Sequence, residues 1–123
     1  MSFLDRINKL KIKLSQLSLD GMYITNLTNV RYLTGFTGSA GSVLILENEH
    51  HFFTDGRYIE QSKEQVKNCN IHIVGAAHYL TIAKEQLIAN KLKIGIESQF
   101  MNIDMFDQLQ QVLPKVVFEK IHD

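Results

Sequence analysis

The chain has 123 residues, 45% of them hydrophobic and 21% charged, which excludes disordered and fibrous classes and fits one domain with a buried core. Its 13 Lys and Arg balance its 13 Asp and Glu, so it lacks the basic surplus with which nucleic-acid binders neutralise phosphate. Cys69 is the single cysteine, which leaves no intrachain disulfide and no cysteine-based zinc site; no window approaches the ~18 consecutive apolar residues of a membrane span. The opening Met-Ser-Phe-Leu-Asp-Arg-Ile-Asn-Lys is broken by charges and has no apolar signal core, so a soluble cytoplasmic chain is the expectation.

Phe3, Ile7, Leu10, Leu14 and Leu17 recur at steps of three and four and predict a first helix from Phe3 to Leu17, with Ser2 and Asp5 as a capping box. Lys9, Lys11 and Lys13 read as its solvated side. Asp20-Gly21 ends it. Met22–Thr25 is a short strand. Asn26 or Thr28 caps a short helix carrying Val30, Tyr32 and Leu33. Gly35 to Gly41 is a loop. Ser42–Leu46 and His50–Thr54 form a β-hairpin around the polar turn Glu47-Asn48-Glu49. Asp55-Gly56 breaks the second strand, and Arg57 to Val66 reads as a helix. Ile71–Val74 is a strand, Tyr79–Asn90 a helix and Ile94–Glu97 a strand. Asn102 caps a helix with Ile103, Phe106, Leu109 and Leu113 on one side, stopped by Pro114. Val116–Phe118 is the last strand.

This alternation predicts a three-layer α/β/α domain with a mixed sheet of five to six strands including one antiparallel hairpin. No repeat, low-complexity tract or linker composition interrupts it, so residues 1–123 read as one domain. A linker to further chain is expected to begin at Asp123.

The stretch from Asn29 to Tyr58 stands out, holding Gly35, Gly38, Gly41 and Gly56 of the seven glycines. A phosphate cradle needs strand, loop and helix in that order, so that free N–H groups at the helix start face the anion. Here the loop follows a helix and feeds a strand, and Gly41 is followed by Ser42-Val43 rather than Lys-Ser/Thr. Two readings remain: a tight connection with left-handed backbone, or a loop bordering a binding site with Phe36, Thr37 and Ser39 exposed. Arg57 stands at the start of a helix, the unfavourable end of the dipole for a cation. It either pairs with Asp55 or another carboxylate, or offers its guanidinium to a ligand carboxylate. Arg31 has the same two readings, with the structural one favoured.

The five histidines, His50, His51, His72, His78 and His122, show no metal-ligand spacing. His50 and His51 project to opposite faces of a strand, and packing or solvent roles are expected for all five. Asp20, Asp55 and Glu97 stand at strand ends rather than as the carboxylate cluster of a metal-dependent nuclease. Gly38-Ser39-Ala40-Gly41 lacks the Gly-x-Ser-x-Gly spacing of a nucleophile elbow.

Asn-Val-Arg-Tyr-Leu-Thr-Gly-Phe-Thr-Gly-Ser-Ala-Gly over 29–41, with Phe-Thr-Asp-Gly-Arg-Tyr over 53–58, resembles the N-terminal domain of the creatinase, prolidase and aminopeptidase P superfamily. Asp20-Gly-Met-Tyr-Ile-Thr-Asn26 fits that family's first strand, and the resemblance covers nearly the whole chain. It implies a ribonuclease-H-like topology and a non-catalytic role. It also implies that a C-terminal "pita-bread" domain, absent from this chain, holds two divalent metal ions (manganese, cobalt or zinc) through two Asp, one His and two Glu. The parent is then a cytoplasmic dipeptidase or aminopeptidase cleaving between a first residue and proline. No metal site is expected in this chain, and no catalytic residue. The implied partners are the catalytic domain, a second copy in a homodimer and a proline-containing peptide. By the same resemblance Phe36, Thr37, Ser39 and Arg57 border the partner subunit's substrate pocket, while Arg31, Tyr32, Gly35, Gly38, Gly41, Asp55, Gly56 and Tyr58 carry the structural motif. The short uncharged loop leans towards an aminopeptidase. The competing expectation is a stand-alone binding or interaction module.

Overall fold

The computed structural model describes residues 1–121; His122 and Asp123, with the expected histidine and linker start, lie outside the described residues. The elements run α1 (Phe3–Gln16), β1 (Gly21–Ile24), α2 (Leu27–Thr34), β2 (Ser42–Leu46), β3 (His50–Thr54), a 3₁₀ turn (Gly56–Tyr58), α3 (Ile59–Gln65), β4 (Asn70–Ile73), α4 (His78–Lys84), β5 (Lys93–Glu97), α5 (Ile103–Val112) and β6 (Val117–Ile121). The predicted order of helices and strands holds throughout.

The six strands form one sheet in the order β4-β3-β2-β1-β5-β6. β2 is antiparallel to both β1 and β3, and every other pair is parallel. A single reversed strand therefore sits inside an otherwise parallel sheet, the mixed arrangement the resemblance implies. Side chains alternate across it. Ile24, Val43, Ile45 and Phe52 point to one face and pack with Ile7 of α1, Val30 and Leu33 of α2, Phe36 and Val66. Tyr23, Leu44, Leu46, Phe53, Ile94 and Ile96 point to the other, against Ile82 of α4, Ile88, Leu109 of α5 and Leu113. The helices thus cover both faces.

Three boundaries differ from the sequence reading by two residues or more; the last strand, expected over Val116–Phe118, runs on to Ile121. The helix expected from Arg57 begins with the 3₁₀ turn, because the Asp55 side chain bonds to the Arg57 N–H and tightens that first turn. The helix expected over Tyr79–Asn90 ends at Lys84. Gln86 turns left-handed at φ 52°, while Ile88 continues into the core without helical backbone. Packing rather than propensity holds that segment.

The topology gathers loops at one place. β1, β3, β4, β5 and β6 all end on the same edge, and β2 starts there. Residues 25–26, 35–41, 55–58, 74–77 and 98–102 meet at that edge.

Candidate functional site

The site is built from α2 outward. Glu97 closes β5 and is only 5% exposed. Its Oε1 accepts from the backbone N–H of Thr25 (2.7 Å) and Asn26 (2.9 Å), and its Oε2 from Asn29 Nδ2 (2.5 Å). A buried carboxylate without partners costs several kcal/mol, roughly, and these donors compensate for it. Asn26 Oδ1 accepts from the Asn29 N–H (3.2 Å) and caps the helix. Glu97 therefore fixes the start of α2.

At the other end of α2, Gly35 has φ 85° and its N–H bonds to Arg31 O (2.8 Å), a left-handed cap that only glycine takes without strain. Phe36 then turns inward. It is 1% exposed, its ring edge-on to Phe52 (4.8 Å) and Tyr58 (5.3 Å). The expectation of an exposed Phe36 is corrected here. It is the loop's one large apolar side chain, and burial of such a ring stabilises by ~1.5–3 kcal/mol. A side chain at Gly38 would overlap this ring, and one at Gly41 would press on it. Only Gly35 needs left-handed backbone, so the other two glycines answer to space around Phe36 rather than to φ.

The exposed part of the loop is tied to the second motif. Ser39 Oγ lies 2.6 Å from Tyr58 OH, which also accepts from the Ser39 N–H (3.1 Å). These bonds pull the Tyr58 phenol below its ordinary pKa. The Thr37 N–H donates to Gln65 Oε1 (3.0 Å), and Thr37 Oγ1 accepts from Gln61 (3.1 Å) and Gln65 (3.0 Å). Thr54 Oγ1 donates to Ala40 O (2.6 Å). The two sequence motifs form one hydrogen-bonded unit.

Arg57 finds its partner next door. Its Nε and Nη2 donate to the two carboxylate oxygens of Asp55 at 3.0 and 2.8 Å. The guanidinium holds the Asp55 carboxyl below its usual range, and Asp55 in turn raises Arg57. The side chain remains 65% exposed, so water screens the pair. Gly56, between them, has open space about its Cα. Of the remaining motif residues, Tyr32 belongs to the α1–α2 contact: Arg6 Nη1 donates to Tyr32 O (2.9 Å) and its guanidinium lies 4.5 Å from the Tyr32 ring. Arg31 is exposed and makes no side-chain hydrogen bond or ion pair among the described residues, so the structural partner expected for it is not found there.

On the opposite face the structure assembles polar groups that no spacing announced. Tyr23 OH donates to Ser42 Oγ (3.0 Å), which lies 2.6 Å from His78 Nδ1. His51 Nδ1 lies 2.9 Å from His72 Nε2, and His51 Nε2 lies 3.0 Å from Glu49 Oε2. Phe53 stacks between His72 (4.9 Å) and His78 (6.0 Å). Burial pushes His72 and His78 below their ordinary pKa and drives Tyr23 up to about 12. His50 turns the other way, towards Asn68 O (2.8 Å), as the alternation required. A signal for this cluster existed only in retrospect: polar residues at Ser42 and His72 interrupt apolar strands. Among the described residues no group of three or more His, Cys, Asp or Glu is placed to hold a metal ion.

Residues 6–123 match the family model described as Creatinase/Prolidase N-terminal domain. The uncharacterized peptidase YqhT of Bacillus subtilis (strain 168) is 39% identical over 108 residues, which are 88% of this chain and 31% of that relative. The N-terminal domain of the cytoplasmic peptidase PepQ from Mycobacterium tuberculosis H37Rv is 31% identical with a TM-score of 0.85, over 96% of this chain and 93% of that one. The Xaa-Pro dipeptidase of Bacillus anthracis is 26% identical with a TM-score of 0.88, over 98% of this chain and 34% of that one. The chain thus spans about a third of the length of the two longer proteins.

Proposed function

The chain belongs to the creatinase/prolidase N-terminal domain family, and from that membership we propose that it is the non-catalytic N-terminal domain of a cytoplasmic Xaa-Pro peptidase. Hydrolysis between a first residue and proline is then the work of a C-terminal domain holding two divalent metal ions. The carrying observation is coverage: the chain fills an N-terminal domain structure almost end to end but only about a third of a peptidase and of an Xaa-Pro dipeptidase. The site's chemistry agrees. Among the described residues the one ion pair in the two motifs, Asp55–Arg57, is closed on itself. Ser42 and His78 have the spacing of a nucleophile and base, but Ser42 is 2% exposed and no substrate carbon reaches it.

In this reading the loop lends Thr37 and Ser39, with Arg57 beside them, to the border of a substrate pocket completed by a second copy. Phe36 is the buried footing that sets their height rather than a contact. The test uses residues 1–123 alone and the longer protein that contains them. The isolated chain shows no Xaa-Pro hydrolysis with manganese or cobalt; robust turnover overturns the assignment. In the longer protein, Thr37→Arg shifts kcat/KM between Xaa-Pro substrates while Tm stays near native. Unchanged selectivity reduces the loop to a connection.

A further inference from the structure

The gathered loops leave a crevice of about 320 Å³ beside β1, between residues 39–41 and the start of α4. It lies where the strand order reverses: the chain runs from β1 to β4 on one side, then crosses to β5 on the other. Open α/β sheets receive ligands at such a switch point, outside the carboxyl ends of their strands. Thr25, Ser39, Ala40, Ala77, His78 and Met105 line it, and among the described residues no Lys, Arg, Asp or Glu does. A phosphate or metal ion would enter with its charge uncompensated. An uncharged ligand with hydrogen-bonding groups and a small apolar body matches both kinds of wall.

The hydrogen-bond chain behind the crevice fixes what His78 can offer. Tyr23 OH donates to Ser42 Oγ, and burial keeps that phenol protonated. The single Ser42 proton then has one acceptor, His78 Nδ1 at 2.6 Å. The reverse arrangement, with Nδ1–H donating, strands the Ser42 proton in the core, at a cost of ~1–3 kcal/mol. The His78 proton is therefore on Nε2, which makes no hydrogen bond among the described residues. Stacking on Phe53 holds the ring plane.

We infer that this crevice binds an uncharged amide, the main chain of an extended peptide, through a carbonyl oxygen that accepts from His78 Nε2–H. The inference rests on the function proposed above only for the source of the peptide. An amide to proline suits the site, since it presents an acceptor and no N–H needing a partner of its own.

The experiment is an NMR titration of the ¹⁵N-labelled 123-residue chain with N-acetyl-proline N-methylamide, and separately with sodium acetate. The amide produces saturable shifts at residues 39–41 and 76–79 and at His78 Nε2, and acetate produces none there. His78→Ala weakens amide binding about tenfold, the ~1.4 kcal/mol of one hydrogen bond. Non-saturating shifts, shifts elsewhere, equal binding of acetate or unchanged affinity in His78→Ala overturns the inference. Because His78→Ala leaves a gap against Phe53, the native chain supplies a second check. Long-range ¹H–¹⁵N spectra near pH 7 show the Nε2–H tautomer, and a dominant Nδ1–H form overturns it. Binding without hydrolysis by the longer protein would sink the peptidase reading and leave this site standing.

Discussion

The two faces of the sheet solve the same burial problem with different chemistry. Under α1 and α2 the core is mainly apolar, closed by the Phe36–Phe52–Tyr58 rings, with Thr34, Ser62 and Glu97 as its buried polar groups. Under α4 it admits Tyr23, Ser42, His51, His72 and His78, joined by hydrogen bonds that leave His78 Nε2 without one among the described residues. Phe36 and Tyr58 of the sequence motifs pack on the apolar face, and Phe53 reaches the polar one. Most motif side chains and the buried imidazoles therefore lie on opposite sides of one sheet, joined through Phe53 and the loop edge. Both sides suffer from loss of volume, and the hydrogen-bonded imidazoles add a sensitivity to acid.

Phe36→Ala tests the first half and should have the largest effect. Removing a fully buried ring costs ~3–5 kcal/mol in chemical denaturation and frees the loop that Gly38 and Gly41 fit around it. A loss below about 1 kcal/mol would mean that the loop stands without its footing.

Acid tests the second half. His72 and His78 have folded pKa values below their ordinary 6.5, chiefly through burial, so the unfolded chain takes up protons first. Stability is full above about pH 6.5 and falls as pH drops below it. His50, at the rim of the apolar face, is shifted the same way and contributes to the same fall. Denaturation midpoints between pH 7.5 and 5 should drop in the native chain, and less in a His72→Phe variant. His50→Gln separates the rim contribution. A midpoint flat with pH would contradict the imidazole core.

The smallest effect is expected at the seam. Tyr58→Phe keeps the ring against Phe36 and removes the hydroxyl that serves Ser39, a small and local loss. Hydrogen exchange at the Ser39 amide should accelerate while β2 amides hold. Uniform acceleration would make the bond a global rather than a local support.

Much of this was legible in advance. Apolar steps of three and four placed α1, and the short β-branched and apolar run of Ser42–Leu46, followed by a polar turn, placed the β2–β3 hairpin. Ser2 and Asp5 cap α1 as read. The resemblance located the loop and its partner motif. What the sequence hid was direction and distance. Phe36 looks like a loop-tip residue until its ring is placed against Phe52 and Tyr58, which lie 16 and 22 positions onward. The Tyr23–Ser42–His78 chain joins three elements with no common spacing. Gln86 carries no glycine-like signal for its left-handed turn, so α4 read too long.

Glu97 has a consequence for the order of assembly. It lies 68 to 72 positions beyond the α2 groups it receives. On a ribosome, the segment that becomes α2 emerges long before this carboxylate, and until β5 joins the sheet the Thr25 and Asn26 N–H groups have only water. Contacts of such separation close late. The start of α2 is thus among the last parts of the domain to take its final shape, and a nascent chain halted before residue 97 would present it without the carboxylate that anchors it.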